Sequence, residues 1–134
     1  MAYWLIKSEP SVWSWEQQVK KGVTHWDGVR NHQAANNLKA MKKGDLAFFY
    51  HSNEGKEIVG IVEIAREACP DPSDETGKFV MVDVKASKPL NKPVSLAQIK
   101  ETPSLKDMAL VRSSRLSVQP VTEKEWQTVL NLSA

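Results

Sequence analysis

Two short segments concentrate the side chains able to do chemistry. Lys7-Ser8-Glu9-Pro10 and Trp26-Asp27-Gly28-Val29-Arg30-Asn31 each set several strongly bonding groups beside a Pro or Gly that turns the chain. A heterocycle drawn out of a nucleic-acid stack needs two kinds of contact, a flat apolar face and donors or acceptors aimed at its edge. Trp26 offers the face. Ser8, Glu9, Asp27 and Asn31 offer hydroxyl, carboxylate and amide groups for the edge, while Lys7 and Arg30 could meet a phosphate or pair with those acids. A packing account explains the same residues without a ligand: Asp27 and Asn31 cap loops and helices, Arg30 braces Asp27 or Glu9, and Trp26 plugs the core. Spacing alone leaves both accounts open.

Other chemistries find less support. His25, His32 and His51 belong to no H-x-x-H or C-x-x-C pair, so metal-ligand spacing is absent and no metal or cofactor is expected. No serine sits in a G-x-S-x-G elbow. Cys69 has Arg66 nearby, but Glu67 opposes formation of its thiolate. Gly28, Gly44, Gly55, Gly60 and Gly77 are isolated, so there is no glycine-rich phosphate loop. One enzymatic alternative stands: Glu9 and Asp27 as an acid–base pair acting on a nucleotide, if they were buried side by side.

The elements that must position these groups belong to one domain, expected over residues 1–134. Its composition, 41% hydrophobic and 25% charged, is ordinary for a globular chain. With a single cysteine no intrachain disulfide can form, which suits a reducing compartment. The first residues lack the basic and long apolar stretches of a signal peptide, and no apolar run is long enough to span a membrane. The expectation is a cytoplasmic monomer. Net charge is only +2. Residues 1–51 hold seven Lys and Arg against four Asp and Glu, while residues 52–102 hold seven against nine. A protein that coats DNA would carry a stronger basic patch, so few phosphate contacts are expected. Lys39, Lys42 and Lys43 are the candidates. Four of the five tryptophans fall within the first 26 residues; indoles fill cores but also stack on bases.

Aromatic and branched residues predict a strand over Tyr3–Ile6. Ser14 and Gln17 have the spacing of a capping box for a short helix ended by Gly22. Trp26–Asn31 has no period and reads as a structured loop, after which Asn31 caps a helix running to about Lys42. Leu46–His51 and Ile58–Ile64 are strands joined across Ser52–Gly55. Both are apolar on successive positions, which places them centrally in a covered sheet. A polar loop spans about 69–78, and Phe79–Ala86 is the next strand. Residues 89–110 are mixed, with a short helix near Ser95–Gln98. Leu116–Gln119 reads as a strand stopped by Pro120, and Thr122 and Glu125 box the start of a final helix. About five short strands without strand–helix alternation predict an α+β protein built on a small barrel or strongly curved sheet.

The chain resembles the EVE-domain family, whose members include bacterial proteins and the thymocyte nuclear protein domain. Lys7-Ser8-Glu9-Pro10, Trp26-Asp27-Gly28-Val29-Arg30-Asn31, Phe48-Phe49-Tyr50-His51-Ser52 and Pro70-Asp71-Pro72 carry the likeness, with Leu110-Val111-Arg112, Arg115-Leu116-Ser117-Val118 and Glu125-Trp126. It covers residues 3–130. The resemblance implies a PUA-like pseudobarrel of five to six strands with peripheral short helices, related to the YTH and ASCH domains. It also implies a non-enzymatic reader of a modified base, with 5-methylcytosine in DNA favoured and RNA possible. Carried over, the pocket would draw on Lys7, Ser8, Glu9, Trp26, Asp27, Val29, Arg30, Asn31 and His32. His32 departs from the family pattern, where tyrosine is common, and Phe79 falls near a tryptophan position. A histidine lining the pocket would make binding sensitive to pH.

Overall fold

A computed structural model describes residues 1–134. In chain order the elements are β1 (Tyr3–Ser8), α1 (Trp15–Lys21), β2 (Val23–Trp26), α2 (His32–Ala40), β3 (Leu46–His51), β4 (Glu57–Pro70) and β5 (Val80–Ser95), then α3 (Leu96–Glu101), α4 (Ala109–Arg112), β6 (Val118–Val121) and α5 (Glu123–Ser133). Six strands form one mixed sheet in the order β2-β5-β4-β3-β1-β6. Only β1 and β3 are parallel; every other neighbouring pair is antiparallel.

Alternation along the strands fills two cores. Trp4 and Ile6 of β1, Ala47 and Phe49 of β3, and Val82 and Val84 of β5 turn to one face, where they meet Ala34, Leu38 and Met41. Leu5, Phe48 and Tyr50 turn to the other face and meet Ile99, Leu105, Leu110, Trp126 and Val129. The central strands are therefore apolar on both faces because each face is covered. Helix α2 touches β4 and β5 toward one edge of the sheet and β6 at the other, so the sheet must curl around it. It does not close, since β2 and β6 remain its edges. The fold is α+β: an open, curved sheet whose gap is filled by a helix.

Three departures from the sequence reading have local causes. Val23–Trp26, unassigned or read as loop, is a strand paired antiparallel with Val82–Lys85. Its four residues are too few to establish a period, although Thr24 and Trp26 turn inward while Val23 and His25 are exposed. Strand β5 runs to Ser95, well past the expected end near Ala86, despite Pro89 and Pro93. Beyond Ala86 it pairs only with β4, so a proline there removes no second ladder bond. Pro120 likewise lies within β6 rather than stopping it, because β6 is an edge strand.

The capping boxes at Ser14, Ser95 and Thr122 are formed in full. The tryptophans divide by role. Trp4 is buried in the inner core, and Trp126 stacks on Phe48 with ring centroids 3.8 Å apart. Trp15 lies over Gly60, where a Cβ would come within 2.5 Å of the indole. Trp13 and Trp26 are only partly buried.

Candidate functional site

Where β1 and β2 end, the chain borders an open cavity of about 330 Å³. Lys7 and Ser8 come from the end of β1, and Thr24 to Trp26 from β2. Asp27 to Arg30 form the following loop, Val12 and Trp13 precede α1, and Ser117 precedes β6. The volume is at the lower end of the range for small-ligand sites, roughly 300–1,000 Å³. Two indoles border it. Trp26 is held edge-to-face against Phe49 of the inner core, with centroids 5.7 Å apart, and Trp13 Nε1 donates to Gln18 Oε1 at 2.9 Å. Both rings are thereby fixed without being covered.

The loop 27–30 is held by a residue far away in sequence. Asp71, whose side chain is fully buried, accepts from Gly28 N at 2.8 Å, Arg30 Nη1 at 3.0 Å, and Ser73 through N at 2.8 Å and Oγ at 2.6 Å. Burial works to raise the Asp71 pKa, but bonds from Ser73, Gly28 and Arg30 outweigh it and hold the carboxyl far below the ordinary aspartate range. Gly28 has φ of 76°, a left-handed turn that glycine adopts at little cost. Arg30 lies 5.3 Å from the Phe79 ring centroid, and Arg30 Nη2 reaches Ser73 Oγ at 3.0 Å. Arg30 thus braces the loop through Asp71, not through Asp27 or Glu9.

Polar groups inside the cavity differ in how free they are. The Ser8 hydroxyl donates to Trp13 O at 2.5 Å, so it keeps only accepting capacity for a ligand. Lys7 Nζ donates to Ser114 O at 2.7 Å, and burial lowers its pKa. Thr24 Oγ1 is enclosed and bonds to no protein group. An enclosed hydroxyl without a partner is costly to folding, and here it belongs to a residue of the cavity wall. Behind the wall, Trp15 N donates to His51 Nε2 at 3.0 Å. Burial lowers the His51 pKa against the opposing pull of Glu57 and Glu16.

Of the residues singled out in sequence, Lys7, Ser8, Trp26, Asp27, Val29 and Arg30 meet at this cavity. Three lie outside it. Asn31 is the N-cap of α2, its side chain accepting from Ala34 N at 2.9 Å, and it borders a separate cleft with Gln33 and Arg115. His32 is exposed as the first residue of α2 and packs against Phe79 at 5.2 Å. Glu9 borders a second cavity, separated from the first at Lys7 and Ser117. Glu9 and Asp27 therefore serve different cavities, which removes the geometric basis for an acid–base pair.

Lys39, Lys42 and Lys43 also lie elsewhere. The turn they approach leads into Leu46, which pairs with Tyr3 at the start of β1. Asp45 fixes that turn by accepting from Trp4 Nε1 at 3.1 Å and Lys42 N at 2.9 Å. The three lysines thus sit at the end of the sheet remote from the cavity. Sequence reasoning missed Val12, Trp13, Thr24, His25, Gly28 and Ser117 as wall residues. The inward alternation of Thr24 with Trp26 is the one local signal that could have found a member of that set.

Comparison with known proteins agrees with this architecture. The family model described as the EVE domain matches residues 2–132. A protein of Rhodopseudomonas palustris, solved by NMR, is 64% identical, with a TM-score of 0.95 over 99% of this chain and 93% of that one. Human thymocyte nuclear protein 1 is 37% identical over 98% of this chain and 73% of its own. Its crystal structure in complex with DNA containing 5-methylcytosine has a TM-score of 0.87 at 38% identity, covering 99% of this chain and 98% of that one. A YTH domain from Zygosaccharomyces rouxii, solved with N6-methyladenosine RNA, is 18% identical with a TM-score of 0.61 over 98% of this chain and 86% of that one. That last likeness concerns the fold.

Proposed function

The chain belongs to the EVE-domain family, and from that premise we propose that its first cavity receives one modified base, 5-methylcytosine in DNA foremost, drawn out of its stack. The observation that carries this reading is a small cavity bordered by two anchored but uncovered indoles, Trp13 and Trp26, with Ser8, Thr24 and Asp27 among its polar wall residues. The human relative crystallised with 5-methylcytosine DNA supports the choice of base.

The energetics set what such a site must do. Extruding a base costs a few kcal/mol, and stacking on an indole returns about 1–3 kcal/mol. A fully buried methyl adds about 0.8 kcal/mol, only a few-fold in affinity. Discrimination beyond that requires a fitted wall, so that an unmethylated base leaves a void beside its C5 position. The anchoring of Trp13 by Gln18 and of loop 27–30 by Asp71 supports this reading, because it holds part of the wall in place before any ligand arrives. Preorganisation of this kind limits the ordering cost of binding.

The test is a binding panel of short single-stranded and duplex DNA and RNA carrying methyl-, hydroxymethyl-, formyl- and carboxylcytosine or methyladenine. Trp26→Ala should weaken binding of the preferred oligonucleotide by about tenfold or more, the scale of one lost stacking partner, while the far-ultraviolet circular dichroism is kept. Trp26→Phe, which retains a ring, should recover part of the loss. A folded Trp26→Ala protein with unaltered affinity would exclude this indole as the platform. Preference for methyladenine RNA across the panel would move the reading to an RNA ligand.

A further inference from the structure

The reading above leaves open how the strand carrying the captured base is held, because Lys39, Lys42 and Lys43 are remote from the cavity. Immediately beside it lies the second cavity, of about 540 Å³. Both are lined by Lys7 and Ser117, so the two cavities adjoin across those residues. Lys7, Lys56 and Arg115 border the second cavity with Ser52, Asn53 and a single acid, Glu9. Three cations against one carboxylate leave an excess of positive charge in a chain whose net charge is only +2.

Those cations are also available. Lys56 and Arg115 are exposed, and neither takes part in any of the four ion pairs. The Lys7 amine is anchored to Ser114 O and lies 5.9 Å from the Tyr50 ring centroid, at the boundary between the cavities. Arg115 borders a third cleft as well, next to Asn31 and Gln33 at the start of α2. The loop 113–117 therefore carries Ser117 on the base cavity and Arg115 on the charged one. An anion there would be approached by a fork of guanidinium donors and an ammonium point charge, a pairing suited to phosphate oxygens.

We propose that this second cavity holds the sugar–phosphate backbone flanking the captured base, with Lys56 and Arg115 as its phosphate contacts. The proposal rests on the base-capture reading, since contiguity with the first cavity is what selects a nucleotide strand over other anions. It gives a strand path along loop 113–117 and not along the lysines after α2.

The test uses the intact chain and a single-stranded DNA oligomer with one 5-methylcytosine, its unmethylated twin, and the nucleoside 5-methyldeoxycytidine. Affinities are measured against salt for the wild type, for Lys56→Gln/Arg115→Gln, and for Lys39→Gln/Lys42→Gln/Lys43→Gln. The double variant should bind both oligomers about tenfold more weakly at low salt, with the log–log salt slope reduced by about 1 to 1.5 for two lost phosphate contacts. Its affinity for the nucleoside and its methylated-to-unmethylated ratio should equal those of the wild type. An unchanged slope in the double variant, or an equal reduction in the triple variant, overturns the proposal, as does a wild type that binds neither oligomer. If the wild type binds both oligomers equally and the slope still falls, the base assignment fails while the phosphate cleft stands.

Discussion

Replacing Asp71 tests whether the wall of the base cavity is built in advance. One buried carboxylate accepts four hydrogen bonds, from Gly28 N, Arg30 Nη1, and the N and Oγ of Ser73. Breaking a fully buried ion pair typically costs about 3–5 kcal/mol. Here the Arg30 side chain is 40% exposed, and Gly28 and Ser73 are exposed as well, so the released donors can turn to water. The cost of Asp71→Ala should accordingly fall below that range, at about 2–3 kcal/mol, a scale set by one or two net charge-assisted bonds. Asp71→Asn keeps the shape but places an amide donor against donors, and should cost nearly as much.

Urea denaturation measures the first half of this prediction, and the oligonucleotide panel measures the second. The loop that loses its brace, residues 27–30, directly follows Trp26, so affinity for the preferred base should fall about tenfold, equivalent to about 1.4 kcal/mol. The pH dependence provides an independent check. The folded pKa of Asp71 is depressed, so its contribution is present above the unfolded value, about 3.9, and is lost as pH falls through the folded value. Asp71→Asn should therefore flatten the acid limb of the stability profile. A folded Asp71→Ala protein with the wild-type denaturation midpoint would refute the bracing argument. A destabilised variant with undiminished affinity would show that the brace supports the fold without shaping the site.

Thr24→Val removes an enclosed hydroxyl that has no protein partner while keeping the side chain's shape. Thermal unfolding should show it unchanged or stabilised by about 1 kcal/mol, and oligonucleotide affinity should stay at the wild-type level because the hydroxyl is closed off from the cavity; a stability loss would mean that the hydroxyl is already satisfied in the folded protein. The His51 pKa is lowered, so its stabilising contribution is complete above the unfolded value near 6.5 and declines as pH falls below it. His51→Gln, whose amide oxygen can still accept from Trp15 N, should lessen the stability change between pH 7 and 5, and an identical profile in the variant would exclude His51 as its source.

The cavity shows what kind of information a single sequence carries. An apolar run at successive positions is local, and it is readable: Leu46–His51 and Ile58–Ile64 announce a sheet covered on both faces. Capping boxes are local as well, and Ser14 and Thr122 mark their helices, while Ser95–Gln98 reads only as a short helix whose box the structure adds. The Trp26–Arg30 segment was legible because aromatic, acidic and basic groups crowd around one glycine. Its support was not. Asp71 lies 43 residues from Gly28 in the chain, in a polar stretch whose composition signals only a loop. The same holds for Ser117 and Arg115, which reach the cavities because β6 pairs with β1 across the whole chain length. Asn31, which the sequence offers both as a helix cap and as a pocket residue, is the N-cap of α2 and lies outside the cavity. A residue that caps a helix and a residue that reads a ligand have the same chemistry, and only the direction of the chain after Arg30 decides between them. Once α2 begins at His32, the Asn31 oxygen is committed to Ala34 N and the His32 ring is carried to Phe79. Local pattern thus identifies which groups can bind, while the long-range pairing of β1, β2 and β6 determines which of them face one another across a space.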